Sequence, residues 1–341
     1  MASATSANAA SAAMHLVDYA DPGAIKQVPT RNGFGEGLIE AGRRDEHVIA
    51  ICADLSESTR MEGFKKAFPT RYLEIGVAEQ MLVAMAAGLA ATGKVPFIAS
   101  YAMFNPGRSW EQVRTTMALN QTNVKIAGAH AGVSVGPDGA THQAVEDVAI
   151  MRVIPKMTVV VPCDSVQTKR ATLAVAAQWG PAYLRFARAE SAVVTTEETP
   201  FELGVAQTFR EGGDVAIVAC GILVYNALIA ADELAKDGIE CRVVNNHTIK
   251  PMDEPAIVAA ARDCGAVVTV EEHQVQGGMG SRVAEILAAQ HPAPIEFIGV
   301  HDRFGQSGTP AELTEEYGMG VASIRAAVLR ALGRKRARNG R

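Results

Sequence analysis

The sequence predicts an α/β protein of two consecutive three-layer domains, each wound around a mostly parallel sheet. Two observations predict it. Short β-branched runs alternate with Ala-rich helical stretches along nearly all of the 341 residues, and strand–helix–strand alternation pairs strands in parallel with helices on both faces. The alternation is also interrupted once and then restarts: VVTTEETPFELG lacks helical period and carries Pro200, which reads as a linker.

In chain order, the first series of strands is HVIAIC from His47, RYLEI from Arg71, VPFIA from Val95, NVKIAG from Asn123, MTVVV from Met157 and AYLRF from Ala182. Helices are expected between them, among others from Gln80 to Ala91 and from Asp164 to Gln178. The second series is DVAIVACG from Asp214, CRVVN from Cys241, GAVVTV from Gly265 and IEFIGV from Ile295. The expected division is a flexible tail and lead-in over residues 1–24, a first domain over 25–190 and a linker over 191–212. A second domain follows over 213–333, and RKRARNGR forms a solvated basic tail over 334–341.

Composition removes several classes of function. With 48% hydrophobic and 20% charged residues the chain is globular, and its length supports a sizeable core. A net charge of -5 lacks the basic footprint of a nucleic-acid binder. No run of eighteen apolar residues occurs, so no membrane-spanning helix is expected. The start MASATSANAASAAM has neither the basic nor the apolar region of a secretory signal. Five scattered cysteines without a C-x-x-C pair fit a reducing cytoplasm and not a zinc ribbon.

Ligands of open parallel sheets bind beyond the carboxyl ends of the strands, and unusual polar residues gather there in the first series. Asp54 follows HVIAICA, Glu79 follows RYLEIGVA, Tyr101 follows VPFIAS and His130 follows VKIAGA. Asp138 and His142 lie in the loop GVSVGPDGATHQ, and Arg185 and Arg188 close the strand from Ala182. Each has an ordinary structural explanation. Glu79 complements a helix dipole, Asp54 caps a turn, Tyr101 and Phe104 at i, i+3 are core, the histidines are loop residues, and Arg188 is a surface ion pair. Carboxylates, imidazoles, guanidinium groups and aromatic rings delivered to one rim from distant segments make an active-site edge instead.

IGVAEQ, SYAMF, GPDGATHQ and AYLRFAR resemble the pyrimidine-binding domain of transketolases. VAIVACGILVYNALIAADEL, NNHTIKPMD and VEEHQVQGGMGS resemble the C-terminal domain of the same family. The family's diphosphate- and magnesium-binding domain carries a Gly-Asp-Gly signature and a downstream Asn. Here GGD at Gly212 and PDG at Pro137 occur, but no GDG. The resemblance therefore implies the C-terminal subunit of a split transketolase. Such a subunit transfers a two-carbon ketol unit from a ketose phosphate to an aldose phosphate with thiamine diphosphate. Mg2+ ligands would sit on a separate N-terminal subunit bearing the GDG motif, in an α2β2 hetero-oligomer.

The resemblance also implies residue roles. Glu79 matches the glutamate that bonds the aminopyrimidine ring; to donate that bond it must hold a proton, which an apolar setting from Ile75, Val77, Ala78 and Met81 promotes. Tyr101 and Phe104 match the aromatic platform, Trp110 supplies a third ring, and Asp54 lines the cofactor channel. Arg31, Ser58, His130 and Arg188 match phosphate contacts, and Asp138 matches a contact to a substrate hydroxyl. His142 matches a histidine near the reacting centre. Arg185 either shares the phosphate role or forms a structural ion pair. The glycines from Gly277 either offer amides to an anion or allow close packing, and Glu271, Glu272 and His273 end a strand in a region that in the family serves mainly dimer contact and packing, with no catalytic role. The rival readings are a 2-oxoacid dehydrogenase E1 β-subunit, a deoxyxylulose-phosphate-synthase-like enzyme and a noncatalytic partner-binding paralogue.

Overall fold

Strands covered by helices on both faces need apolar side chains at every position. VIAIC from Val48 and VAIVA from Val215 are such runs, and every residue of each is buried; KIAGA from Lys125 is buried throughout too, its one cation satisfied by Asn123 Oδ1 and the carbonyls of Gln178 and Gly180. The computed structural model describes residues 14–21, 23 and 25–339. In chain order its strands are β1 (Gln27–Pro29), β2 (Val48–Cys52), β3 (Tyr72–Glu74), β4 (Val95–Tyr101), β5 (Lys125–Ala129), β6 (Thr158–Val160), β7 (Ala182–Arg185), β8 (Glu190–Ala192), β9 (Gln207–Arg210), β10 (Val215–Ala219), β11 (Cys241–Asn245), β12 (Thr248–Lys250), β13 (Val267–Gln274) and β14 (Ile295–Val300). All ten predicted strands are present.

The first sheet has the order β12-β6-β7-β5-β4-β2-β3, parallel except for β12, and the second has β14-β13-β10-β11-β9, parallel except for β9. Because β3 lies on one side of β2 and β4 on the other, the strand order reverses there, and a crevice opens at the carboxyl ends. No helix of the described residues is long and apolar enough to cross a membrane.

Three expectations are corrected. The stretch 191–212 is not a plain linker, because β8 pairs with β1 and β9 closes the second sheet against β11. Neither β8 (ESA) nor β9 (QTFR) carries an apolar run that marks it as a strand. Within the expected lead-in, Met14 and Leu16 pack on the second domain's core and Tyr19 is buried in it; residues 1–13 lie outside the described residues. The basic stretch from residue 334 continues the helix Val321–Asn339. Its cations cap main-chain carbonyls: Arg334 donates to Ile295 O at 2.7 Å, Lys335 to Asp214 O at 2.8 Å and Arg338 to Pro292 O at 2.6 Å.

The two domains share apolar packing. One cluster runs from Leu82, Ile98 and Val113 of the first to Ile257, Met279 and Val283 of the second. On the opposite face of the first sheet, helices Thr30–Arg44 and Ser165–Ala177 pack together. The second of these is started by Asp164, whose carboxylate accepts from Gln167 N at 2.8 Å, a standard N-cap. Their approach depends on Gly33 and Gly37, where a Cβ would run into the backbone of Ser165 and into Thr172 and Lys169 O. That contact fixes the helix whose first turn carries Arg31. Gly33→Ala should therefore destabilise the chain by about 1–3 kcal/mol, as overpacking does. Thermal unfolding checks this, and an unchanged midpoint would refute the close-packing argument.

Candidate active site

Tyr101 ends β4 and pairs in register with Ala129 at the end of β5, so the next residue, His130, is brought beside it. The two rings stack with centroids 4.0 Å apart and planes 24° from parallel. Phe104, one turn on, stacks on Tyr101 at 5.9 Å. His142 stands edge-on to both rings, at 6.2 Å from Tyr101 and 5.3 Å from Phe104. Its Nδ1 lies 2.9 Å from Thr141 Oγ1. The structure thus gathers four of the predicted residues into one aromatic and imidazole cluster.

Glu79 opens the helix Glu79–Ala91 and is only 4% exposed. Its nearest cation is Arg108, with Nε 4.0 Å from Glu79 Oε2 and an exposed side chain. The apolar setting expected from its neighbours is only partly present. Val77 is 75% and Met81 52% exposed: Val77 lies in the turn before the helix, and Met81, at i+2, points away from the face that buries Glu79.

Three guanidinium groups converge beside this cluster. Arg31 donates from Nη1 to Ser58 O at 2.9 Å, so the contact with Ser58 is through its carbonyl. Arg188 donates from Nη1 to Val135 O at 3.0 Å and to Asp138 Oδ1 at 3.2 Å. Arg60, held by Asn32 Oδ1 at 2.9 Å, is the third. Burial, then Arg60 and Arg188, push the Arg31 pKa below its ordinary value. Burial, followed by Arg31, Arg188 and Arg60, pushes the His130 imidazole down to about 3. Two buried nitrogens here, the donor Arg31 Nε and His130 Nδ1, have no hydrogen-bond partner. Arg188 is paired with Asp138, whereas Arg31 and Arg60 have no carboxylate partner among the described residues, and unpaired buried nitrogens beside such cations are the chemistry of an anion site.

The backbone is unusual at the same place. Asp54, Arg60 and His130 have φ of 58°, 65° and 54°. Non-glycine residues in the left-handed region are uncommon and collect at functional sites. Asp54 is exposed beyond β2, where its N–H donates to Glu74 Oε1 at 2.7 Å.

Two expectations resolve away from the site. Trp110 donates Nε1–H to Ile150 O at 2.8 Å and packs on the cluster containing Leu82 and Val113. It makes no ring pair with Tyr101 or Phe104 among the described residues. Arg185 is buried against Asp147, with Nε 2.8 Å from Oδ2, so it is the structural ion pair. The amides of Met279 and Gly280 are taken by Glu271, at 2.7 and 2.8 Å, which fills the anion position after the glycines from within the chain. Among the described residues no cluster of His, Cys, Asp and Glu could hold a metal ion. Sequence reasoning missed Arg60 and Arg108. The first lies two residues from Ser58, and that closeness was its only signal.

The model of the transketolase pyrimidine-binding domain matches residues 26–192, and that of the transketolase C-terminal domain matches residues 204–324. A putative transketolase C-terminal section from Methanocaldococcus jannaschii is 44% identical, covering 86% of this chain and 93% of the relative. The chain belongs to the transketolase family. It is a C-terminal subunit of the split kind, one chain of an enzyme of the transketolase class, and its first domain makes that enzyme thiamine-diphosphate dependent.

A 6-deoxy-6-sulfo-D-fructose transketolase subunit from a Clostridium species is 42% identical, covering 86% of this chain and 91% of the relative. One of the subunits of an apulose-4-phosphate transketolase from Phocaeicola vulgatus is 38% identical, covering 88% and 96%. A solved split-gene transketolase, described as an inactive β4 tetramer, superposes with a TM-score of 0.85 at 44% identity. That match covers 90% of this chain and 99% of the other.

The displaced pKa of His130 makes a prediction for this transketolase subunit. The native imidazole stays neutral down to about 3, whereas the unfolded chain takes up the proton near 6.5. Unfolding therefore binds a proton between those values, and stability falls as pH drops from about 6.5 toward 3. His130→Gln should flatten that acid limb and leave the profile above pH 7 unshifted. His247, buried and pushed down to about 4, retains a similar slope in both proteins. Melting midpoints across pH 4–8 check this, and parallel profiles would refute it.

Proposed function

We propose that the chain supplies the pyrimidine-binding half of a two-chain active site that transfers a two-carbon ketol unit between sugar phosphates. The observation that carries this reading is the juxtaposition on one rim of buried Glu79, the Tyr101–Phe104–His142 ring cluster and the cations Arg31, Arg60 and Arg188. A buried carboxylate and a ring platform fit an aminopyrimidine; three converging guanidinium groups, of which only Arg188 has a carboxylate partner among the described residues, fit a phosphate.

In this reading Glu79 bonds the pyrimidine ring of thiamine diphosphate and passes it a proton. Tyr101 and Phe104 stack against the ring face, where offset aromatic contact adds to burial, and Asp54 lines the channel leading to it. When bound, the cofactor supplies a nucleophilic carbon that accepts the two-carbon unit. Arg31, Arg188 and Ser58 hold the substrate's phosphate, with guanidinium forks matched to its oxygens, and Arg60 adds charge. His130, neutral at working pH, donates a hydrogen bond and not a charge. Asp138 accepts from a sugar hydroxyl. His142, whose Nδ1 is engaged by Thr141, trades a proton at Nε2.

The diphosphate and its Mg2+ fall to an N-terminal subunit carrying Gly-Asp-Gly, in an α2β2 assembly. The relatives' names supply two different sugars, a sulfo-sugar and apulose 4-phosphate. The proposal therefore commits to an anionic ketose and not to one sugar, and cytoplasmic sugar metabolism is its setting.

The test is ketol transfer from xylulose 5-phosphate to ribose 5-phosphate, with thiamine diphosphate and Mg2+. The chain is assayed alone and with a Gly-Asp-Gly-bearing subunit. Activity only in the mixture is expected. Full activity of the chain alone would overturn the two-chain reading, and silence in both, extended to other anionic ketoses, would overturn the reaction. In the active mixture Glu79→Gln should lower kcat by about 10²–10⁴-fold, the worth of a positioned proton donor, with an unchanged melting midpoint. Near-normal kcat would remove Glu79 from its role.

A further inference from the structure

The loop 132–143, which carries Asp138 and His142, is fastened from the second domain. We propose that Glu272 on β13 is a positioning residue that locks this loop and thereby sets how tightly the anionic sugar is held. The inference rests on the function proposed above for Asp138 and Arg188.

Glu272 is 5% exposed, and its side-chain bonds run across the domain boundary. Oε1 accepts from Ser134 N at 2.5 Å and Oε2 from Ser134 Oγ at 3.2 Å. The next residue along the loop, Val135, offers its carbonyl to Arg188 at 3.0 Å, and Arg188 in turn meets Asp138 at 3.2 Å. One residue therefore separates the Glu272 anchor from a cation of the rim. Gly132, at φ 86°, is the entry to the loop, and a Cβ there would occupy the space of the Glu272 carboxylate. The far end is tied separately: Gln143 Nε2 donates to Val133 O, Gly136 O and, on the second domain, Gln306 O, at 3.0, 3.2 and 2.9 Å.

Energetics make the anchor directional. A buried carboxylate is costly unless donors meet it. Burial pushes the Glu272 pKa up, while Arg185 and the Ser134 donors oppose that shift. The Ser134 donors belong to the loop, so their share of the offset is present only when the loop is seated. The adjacent Glu271 is equally buried, but it serves amides of its own domain and forms a natural control.

The experiment uses the two-chain complex with wild type, Glu272→Gln, Glu272→Ala and Glu271→Gln. Three readouts are taken: hydrogen exchange of the peptide spanning 131–144, affinity for inorganic phosphate, and donor KM against kcat. Glu272→Ala should speed exchange in that peptide and raise both the phosphate Kd and donor KM about ten-fold, with kcat within about three-fold. Glu272→Gln, which keeps an acceptor for Ser134 N–H, should recover much of the loss and provides the reading if the alanine variant fails to fold. Glu271→Gln should lower the melting midpoint without moving Kd or KM.

Unchanged exchange in both Glu272 variants would overturn the anchor. Faster exchange with unchanged phosphate Kd would overturn the positioning role, as would an equal shift from Glu271→Gln. A wild-type complex inert in ketol transfer, with the exchange and phosphate effects present, would instead refute the proposed reaction and leave the anchor standing.

Discussion

The arrangement depends on one buried guanidinium. Arg185, the last residue of β7, reaches Asp147 Oδ2 at 2.8 Å, Glu272 O at 2.8 Å and Ala144 O at 3.3 Å. Tyr183, two residues earlier on the same face, donates to the same Asp147 oxygen at 2.6 Å. Burial works against this charge, but Asp147 and Glu272 outweigh it and push the pKa up. Breaking a buried pair by removing one partner costs about 3–5 kcal/mol, because the survivor is left uncompensated. Satisfying Arg185 therefore forces three things together: the end of β7, the segment that closes the 132–143 loop, and a strand of the second domain. The rim of the first domain stands on that seam.

On the solvent side of the same rim, electrostatics are left unresolved. Arg31, Arg60 and Arg188 crowd around His130, and the cost is visible in two depressed pKa values and two unpaired nitrogens. Left-handed φ at Asp54, Arg60 and His130 adds backbone strain of the order of 1–3 kcal/mol each. Such costs persist only where the surrounding structure over-determines them, and here the shared apolar packing of the two domains does so. An anion arriving at this rim meets donors that need no reorganisation, the property that makes electrostatic sites effective.

The contrast between core and rim also explains what could be read from the chain. Most of the ten legible strands are covered on both faces and leave apolar runs, and residues directly after those runs, such as Tyr101 and His130, followed at once. Short edge strands such as β9 and β12 carry three or four residues of pattern and went unread. The basic C-terminal stretch looked solvated because its cations are conspicuous, yet Arg334, Lys335 and Arg338 cap carbonyls. Trp110 looked like a site ring from type alone, but its N–H is spent on Ile150. The exposure of Val77 and Met81 was hidden for the opposite reason: apolar letters beside Glu79 do not show that Val77 stands in the turn before the helix or that Met81 is on its outer side.

The dipeptide Glu271–Glu272 carries that lesson furthest. Read as letters, both are acidic residues ending a strand, suited to packing. Successive strand side chains point to opposite faces, so two identical residues are sent to different tasks. Glu271 turns toward its own domain and holds the start of the helix Met279–Gln290; Glu272 turns toward the first domain and meets Ser134, 138 residues earlier in the chain. No local pattern distinguishes them, because the distinction lies in what each face of β13 is packed against. The second domain, which looks chemically idle along its sequence, reaches the rim through that alternation as well as through the main-chain carbonyls of Glu272 and Gln306.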